Sequence, residues 1–194
     1  AGLFNIGLEG ILLLGALAGA LGAEASGSAS IGLLSGMATG ALVGLLFGGI
    51  STTLRGSQLI IGVGINLFAL GFVALMLTVL GAPGFHSVSR EIQVPLIPLG
   101  VGNLSPLVPA TVVLAFAVWW LLRRTQLGIW IRAVGDNPGA ADVAGLPVNA
   151  LRLGTAVVAG MLAGLAGAYL SVDWFGAVTK EITAGRGFIA LAIV

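Results

Sequence analysis

Few side chains in this sequence could do chemistry, and they sit within or beside long apolar runs. Glu9 stands near the start of the run Ile6 to Ala23, with Asn5 four positions earlier. An ionised group at membrane depth is costly and lasts only where it meets a partner or a wet cavity, whereas a glutamate at a helix end near the interface costs far less. Glu9 therefore reads in three ways: a contact on a polar route, a tie within a helix bundle, or an interfacial helix end. On a continuous helix, Asn5 and Glu9 share one face and form a single polar patch. Asn66 falls in mid-run, where an amide bonds a neighbouring helix or a ligand hydroxyl, the former being the commoner role. Thr183, Gly185 and Arg186 precede a fresh apolar run, which puts a hydroxyl, a flexible backbone and a charge at a helix N-terminus that attracts electronegative groups.

These groups suit recognition and passage rather than bond-making. The only histidine, His86, lies in a proline-rich stretch away from any apolar run, so no serine–histidine pair forms inside a membrane. Asp136 and Asp142 lie in a polar loop and Asp173 at a run's end, which leaves no buried aspartate dyad. No G-x-x-x-x-G-K-[ST] occurs, so the chain cannot be its own ATPase. There is no cysteine, hence no disulfide framework and no thiolate metal site. A net charge of +1 without a basic run gives no nucleic-acid footprint.

Composition fixes the class of element that must position these groups. Hydrophobic residues make up 58% of the chain and charged residues 8%, against about 45–50% and about 25% in soluble domains. The apolar runs Ile6–Ala23, Ile31–Ile50, Gln58–Leu80, Leu107–Leu122 and Leu151–Leu170 each approach the roughly 20 residues that cross a bilayer. Gly187–Val194 opens a sixth. The fold predicted is an all-α, polytopic transmembrane helical bundle of about five full spans plus a truncated sixth. The pattern is apolar at both ends, so 1–194 reads as one transmembrane domain, a fragment lacking both ends. Gly32, Gly36, Gly40, Gly44 and Gly48 recur at every fourth position of the second span. That spacing strips one helical face of side chains and lets a neighbour come close, as do Gly160, Gly164 and Gly167 in the fifth.

Between the spans, Glu24–Ser30 and Ser51–Ser57 read as short loops. Gly81–Pro106, with Pro83, Pro95, Pro98 and Pro106, reads as an irregular external segment. Ser171–Arg186 reads as a second polar break. The interruption Gly128–Pro147 carries helix punctuation: Asn137 as N-cap, Pro138 at the first helical position, Gly145 as a left-handed stop and Pro147 beyond it. A helix of about two turns does not hold together alone in water and needs a surface to lie on. Ala140, Ala141, Val143 and Ala144 give it a small-residue face. Spacing alone leaves two readings, a docking helix or a solvated connector.

Within that interruption, R-A-V-G-D-N-P-G-A-A-D-V-A-G-L-P resembles the cytoplasmic loop of ABC-transporter permeases of the branched-chain amino acid and ribose type. The closest likeness is to simple-sugar and nucleoside permeases paired with basic-membrane-protein-type binding proteins. F-N-I-G-L-E-G from Phe4 to Gly10 and T-A-G-R-G-F-I-A-L from Thr183 to Leu191 fit the same group, so the resemblance spans almost the whole chain. It implies that loop 128–147 holds a coupling helix docking on an ATPase subunit, with Arg132, Gly135, Asp136, Asn137, Pro138, Ala140, Ala141, Val143, Ala144 and Gly145 in the coupling element. It implies three partners: an ABC ATPase subunit, a second permease subunit of the same or another kind, and an extracytoplasmic substrate-binding lipoprotein. ATP would be used by the partner, and this chain would hold no cofactor.

Orientation follows from counting basic residues on alternate loops. Arg55, Arg123, Arg124, Arg132 and Arg152 fall on one side, and Arg90, Lys180 and Arg186 on the other. The positive-inside rule then puts loop 128–147 in the cytoplasm. Trp119 and Trp120 ahead of Arg123 and Arg124 form an aromatic anchor followed by positive charge, as at a cytoplasmic interface. The sixth span begins, like the first, with a polar glycine-containing turn; counting spans puts the two starts on opposite faces, as in inverted repeats. The expected protein is a multi-pass permease subunit of an ATP-driven importer in a bacterial inner membrane, taking up nucleosides or simple sugars. Asn5, Glu9, Asn66, Thr183 and Arg186 are its candidate pathway residues. A branched-chain amino acid permease is the alternative within transport, and an ATP-independent carrier or channel, or a structural membrane subunit, stands outside it.

Overall fold

The computed structural model describes residues 1–54, 56–81, 84–88, 97–99 and 102–193. Among the described residues, five helices are long and apolar enough to cross a membrane. They are α1 (Leu8–Ser26), α2 (Ala29–Thr52), α3 (Gln58–Val79), α4 (Leu107–Arg124) and α7 (Val148–Tyr169), the last running on through a π turn to Trp174. A further helix, α8, covers Arg186–Ile193. The all-α bundle expected from composition is thus observed. The first loop is shorter than its small residues suggest. The stop is Gly27, at φ 65°, whose N–H returns to the Ala23 carbonyl, so Glu24 to Ser26 stay helical.

α1 is the central post. Its Leu13, Leu14, Ala16, Leu17 and Ala20 are buried, and Ala69, Val73 and Leu77 of α3 join them in one core. The other contact of α1 is backbone against backbone. A Cβ placed on Gly15 would lie 2.6 Å from the Gly164 Cα, and one on Gly36 would lie 2.5 Å from the Ala168 Cβ and 2.8 Å from the Gly15 oxygen. The stripe Gly32 to Gly48 is buried along its whole length. Gly36, Gly40 and Gly44 meet Gly164, Gly160 and Ala156 in reverse order, while Gly15 and Gly19 meet Gly164 and Ala168 in the same order. α2 is therefore antiparallel to α7, and α1 runs parallel to it. The seam predicted from four-residue spacing is the line where three helices touch through their main chains.

α4 stands apart. It packs against α5 (Gln126–Asp136), and none of its residues is buried. Phe116 lies tilted against Trp119, with ring centroids 5.4 Å apart, and the Arg123 guanidinium sits over the Trp119 ring at 5.9 Å, which builds the anchor at the end of α4.

α5 corrects the reading of Gly128–Pro147 as a loop holding one short helix. Thr125 is extended, and its Oγ1 accepts from the Gly128 N–H at 3.3 Å, so a new helix is capped where an unstructured stretch is expected. Leu127, Ile131 and Val134 then share one face, and Val134 is fully buried. Gly128 rides directly on the carbonyl oxygens of Leu121 and Leu122, where no Cβ fits, and this closes the corner between α4 and α5. The short helix α6 (Pro138–Val143) follows at once.

At the opposite end, β1 (His86–Ser87) pairs antiparallel with β4 (Ala177–Val178), and β2 (Ile97–Leu99) pairs antiparallel with β3 (Gly102–Leu104). The described part of the proline-rich segment is therefore two short ladders rather than wholly irregular. His86 Nε2 sits 2.8 Å from a Glu24 carboxylate oxygen, tying the end of α1 to this layer. Arg55, Pro83, Arg90, Glu91, Pro95 and Val194 lie outside the described residues.

Candidate functional site

The chemistry-bearing residues meet at the start of α1, which begins inside the bundle rather than at its edge. Gly15 lies seven residues into α1 and Gly164, its partner, sixteen into α7. At 1.5 Å per residue, α1 starts about 14 Å along its neighbour. Backbone ending at such a depth has no water to satisfy it, so its N–H groups need protein acceptors. Asn66 supplies one: its Oδ1 accepts from Gly10 N at 2.7 Å, while its Nδ2 donates to the Ile6 carbonyl at 3.0 Å. Removing both bonds by Asn66→Leu is expected to cost about 1–3 kcal/mol, read from reversible unfolding in mixed micelles.

Glu9 supplies the next acceptors, and they serve a different helix. Its Oε1 accepts from Gly185 N at 2.9 Å and its Oε2 from Gly187 N at 2.6 Å, which caps the N-terminus of α8. A carboxylate here meets the positive end of the helix dipole and makes charge-assisted bonds. Gly187 has to be glycine, since a Cβ there would lie 2.6 Å from the Glu9 nitrogen. The starts of the first and sixth spans are therefore in contact at one depth. The chain reaches them from opposite ends of the bundle: residues 1–7 come in from beside Gly135 and Arg152, and residues 179–185 descend from β4 before α8 begins.

Glu9, Asn66 and Thr183 line one cavity of about 390 Å³, with Lys180, Glu181 and Phe188 among its other walls. Arg186 is not in it. Its guanidinium lies 5.4 Å from the Phe175 ring centroid and donates to the Ile182 carbonyl at 3.1 Å, and the residue lines a second cavity of about 320 Å³ beside Phe85 and Thr179. Asn5 does not extend the Glu9 patch either. Residues before Leu8 are not helical, so the four-residue spacing puts nothing on a shared face; Asn5 Oδ1 accepts from Gly7 N at 2.9 Å, and its buried Nδ2 has no partner among the described residues. Sequence reasoning missed Lys180 and Glu181 as site residues by placing them in an outer loop. The signal was there in Val178 and Ile182, apolar residues that are both buried and that hold the segment against the bundle.

The second functional element is α6. Asn137 caps it, with Oδ1 accepting from Ala140 N at 3.0 Å, and Pro138 occupies its first turn. It ends in a Schellman motif: Leu146 N bonds the Ala141 oxygen at 3.0 Å, Gly145 N bonds the Asp142 oxygen at 2.9 Å, and Gly145 sits at φ 81°. The helix packs on α5 and α7 with Ala141 inward, 4% exposed. Ala140, Val143 and Ala144 face out, and Val143 is 92% exposed. Arg132 and Asp136 are exposed on the neighbouring helix, with Arg132 Nε donating to the Gly128 carbonyl at 3.3 Å. Gly135 lies against Gly2. Among the described residues, no three His, Cys, Asp or Glu side chains are grouped to hold a metal.

Five apolar spans, a capped helix outside them and helix ends meeting within them define a polytopic membrane protein. The chain belongs to the family described as branched-chain amino acid transport system / permease component, which matches it over residues 1–194. It is 34% identical to a protein of Haloferax volcanii provisionally named as a glucose ABC transporter permease, over 100% of this chain and 62% of that protein. It is 31% identical to the guanosine ABC transporter permease protein of Bacillus subtilis, covering 99% of this chain and 66% of that one. The nucleoside ABC transporter permease protein of Lactococcus lactis subsp. cremoris is also 31% identical, covering 98% and 65%. The chain thus spans about two thirds of these relatives' length or less. No solved structure matches it.

Proposed function

We propose that this chain is the membrane-spanning part of an ATP-driven importer for a nucleoside or simple sugar, handed over by an extracytoplasmic binding protein. The carrying observation is α6, capped at both ends yet presenting a fully exposed valine and two alanines. An apolar face of this kind, on a helix too short to stand alone, calls for a partner to cover it. The partner is an ABC ATPase subunit, and a second permease subunit completes the path. The substrate class rests on the relatives named for glucose, guanosine and nucleoside transport. An ATP-independent carrier fits less well, because Glu9, the acidic residue best placed to bind a coupling ion, spends both oxygens on backbone N–H groups.

In this reading α6 faces the cytoplasm of a prokaryotic cell. With no native cysteine to interfere, Asp142→Cys and Asn149→Cys should react with an impermeant thiol reagent from the cytoplasmic side alone. Labelling from outside intact cells would reverse the topology. Co-purification of an ATPase subunit with the tagged permease is the direct test of the partner, and repeated isolation without one would remove the importer reading.

A further inference from the structure

The segment 179–185 separates the two cavities described above, and Glu181 and Ala184 line both. It is neither helix nor strand but a chain of tight turns, with Ile182 N on the Thr179 oxygen at 3.3 Å, Ala184 N on the Glu181 oxygen at 3.0 Å and Arg186 N on the Thr183 oxygen at 2.8 Å. Two of its N–H groups, those of Ile182 and Ala184, bond carbonyls of the segment itself, so it is folded on itself as one short unit. Three contacts hold it. Val178 is pinned in the ladder with His86, and Ile182 is buried in the core around Leu13, Leu17 and Val73. The third is the Glu9 carboxylate on the N–H groups of Gly185 and Gly187.

That third hold restrains a loaded backbone. Ala184 has φ 44° and Gly185 φ 77°, two successive left-handed residues, the first of them carrying a Cβ that disfavours this conformation. Lys180, Glu181 and Arg186 are exposed in the chain beside this turn, and charges at such depth face water rather than lipid. We propose that segment 179–185 is a gate and that Glu9 is the positioning residue that latches it: when the carboxylate releases the first turn of α8, the wall withdraws and the two cavities join into one passage, mainly apolar with polar groups at Glu9, Asn66 and Thr179. The proposal builds on the transport reading, but its test needs neither ATP nor a partner's activity.

Single cysteines at Leu70, which lines the first cavity, and Thr179, which lines the second, serve as reporters in right-side-out and inside-out membrane vesicles. With Glu9 intact, an impermeant thiol reagent applied on the side of β1 and β4 should modify Thr179→Cys readily and Leu70→Cys slowly. In a Glu9→Ala background the Leu70→Cys rate should rise about tenfold or more, the factor for losing charge-assisted bonds, while Thr179→Cys stays as it was. Glu9→Gln keeps one acceptor oxygen and should fall between, and it carries the comparison alone if the alanine variant fails to insert. A Leu70→Cys rate indifferent to Glu9, or both reporters rising together as in general loosening, would overturn the gate. A missing ATPase partner would sink the importer reading and leave this result standing.

Discussion

Gly40→Leu is expected to abolish the folded bundle, whereas Leu42→Ala, two residues away, should leave it intact. A Cβ at Gly40 would fall on the Gly160 carbonyl oxygen and lie 2.8 Å from the Gly164 Cα. Every atom it meets is main chain, so no rotamer can turn aside and the helices must part. Overpacking a core that can relax typically costs about 1–3 kcal/mol; here the obstacle is rigid, and the loss reaches or exceeds that range. Parting α2 from α7 also lifts Gly36 and Gly44 from their contacts, so the loss spreads along the seam. Leu42 is 63% exposed on the opposite side of α2, and trimming it should change stability by no more than about 0.5 kcal/mol. The yield of monodisperse protein and its unfolding in lipid–detergent mixtures separate the two variants. Equal behaviour of both would show that close helix approach does not hold this bundle together.

The other large effect concerns α6. Val143→Glu and Ala144→Glu should each stop transport while the protein inserts, folds and unfolds as before. Both positions face away from α5 and α7, so the bundle does not feel them. An ATPase surface closing over that face would trap a carboxylate without a partner, at a cost of about 3–5 kcal/mol, or a hundredfold or more in affinity. Uptake and ATPase pull-down should therefore fail together. Ala141→Glu is a contrasting control: that side chain points inward, and its substitution should lower stability as well. Full transport and an intact complex in the Val143 and Ala144 variants would make α6 a plain connector.

The sequence exposes some of this arrangement more readily than the rest. Five spans are legible because a run of apolar residues about 20 long has almost no other reading, and the glycine seam because its four-residue spacing is strict. The caps of α6 are equally plain, since Asn137, Pro138 and Gly145 each stand where backbone geometry demands them. The direction in which Ala141 points is not legible, because alanine serves equally inside and outside. α5 is hidden by Thr125, whose capping role shows only once the chain turns a corner at Gly128. The descent of 179–185 is hidden by its charges, which read as an outer loop until the buried Val178 and Ile182 are seen. The Asn5–Glu9 patch fails for a simpler reason: helical periodicity does not hold at Asn5, which lies ahead of the helix.

The glycine seam has a mechanical side. Where helices meet through leucines and phenylalanines, a small displacement is absorbed by side chains changing rotamer, and little of it passes on. Along the line of Gly36, Gly40, Gly44, Gly160 and Gly164 there is almost nothing of that kind to yield. α7 starts at Val148, five residues after α6 ends at Val143, and its other end packs at Gly167 against Leu12 of α1, within one turn of Glu9. If a partner pushes on α6, α7 would carry that movement as a stiff rod whose far end rests beside Glu9.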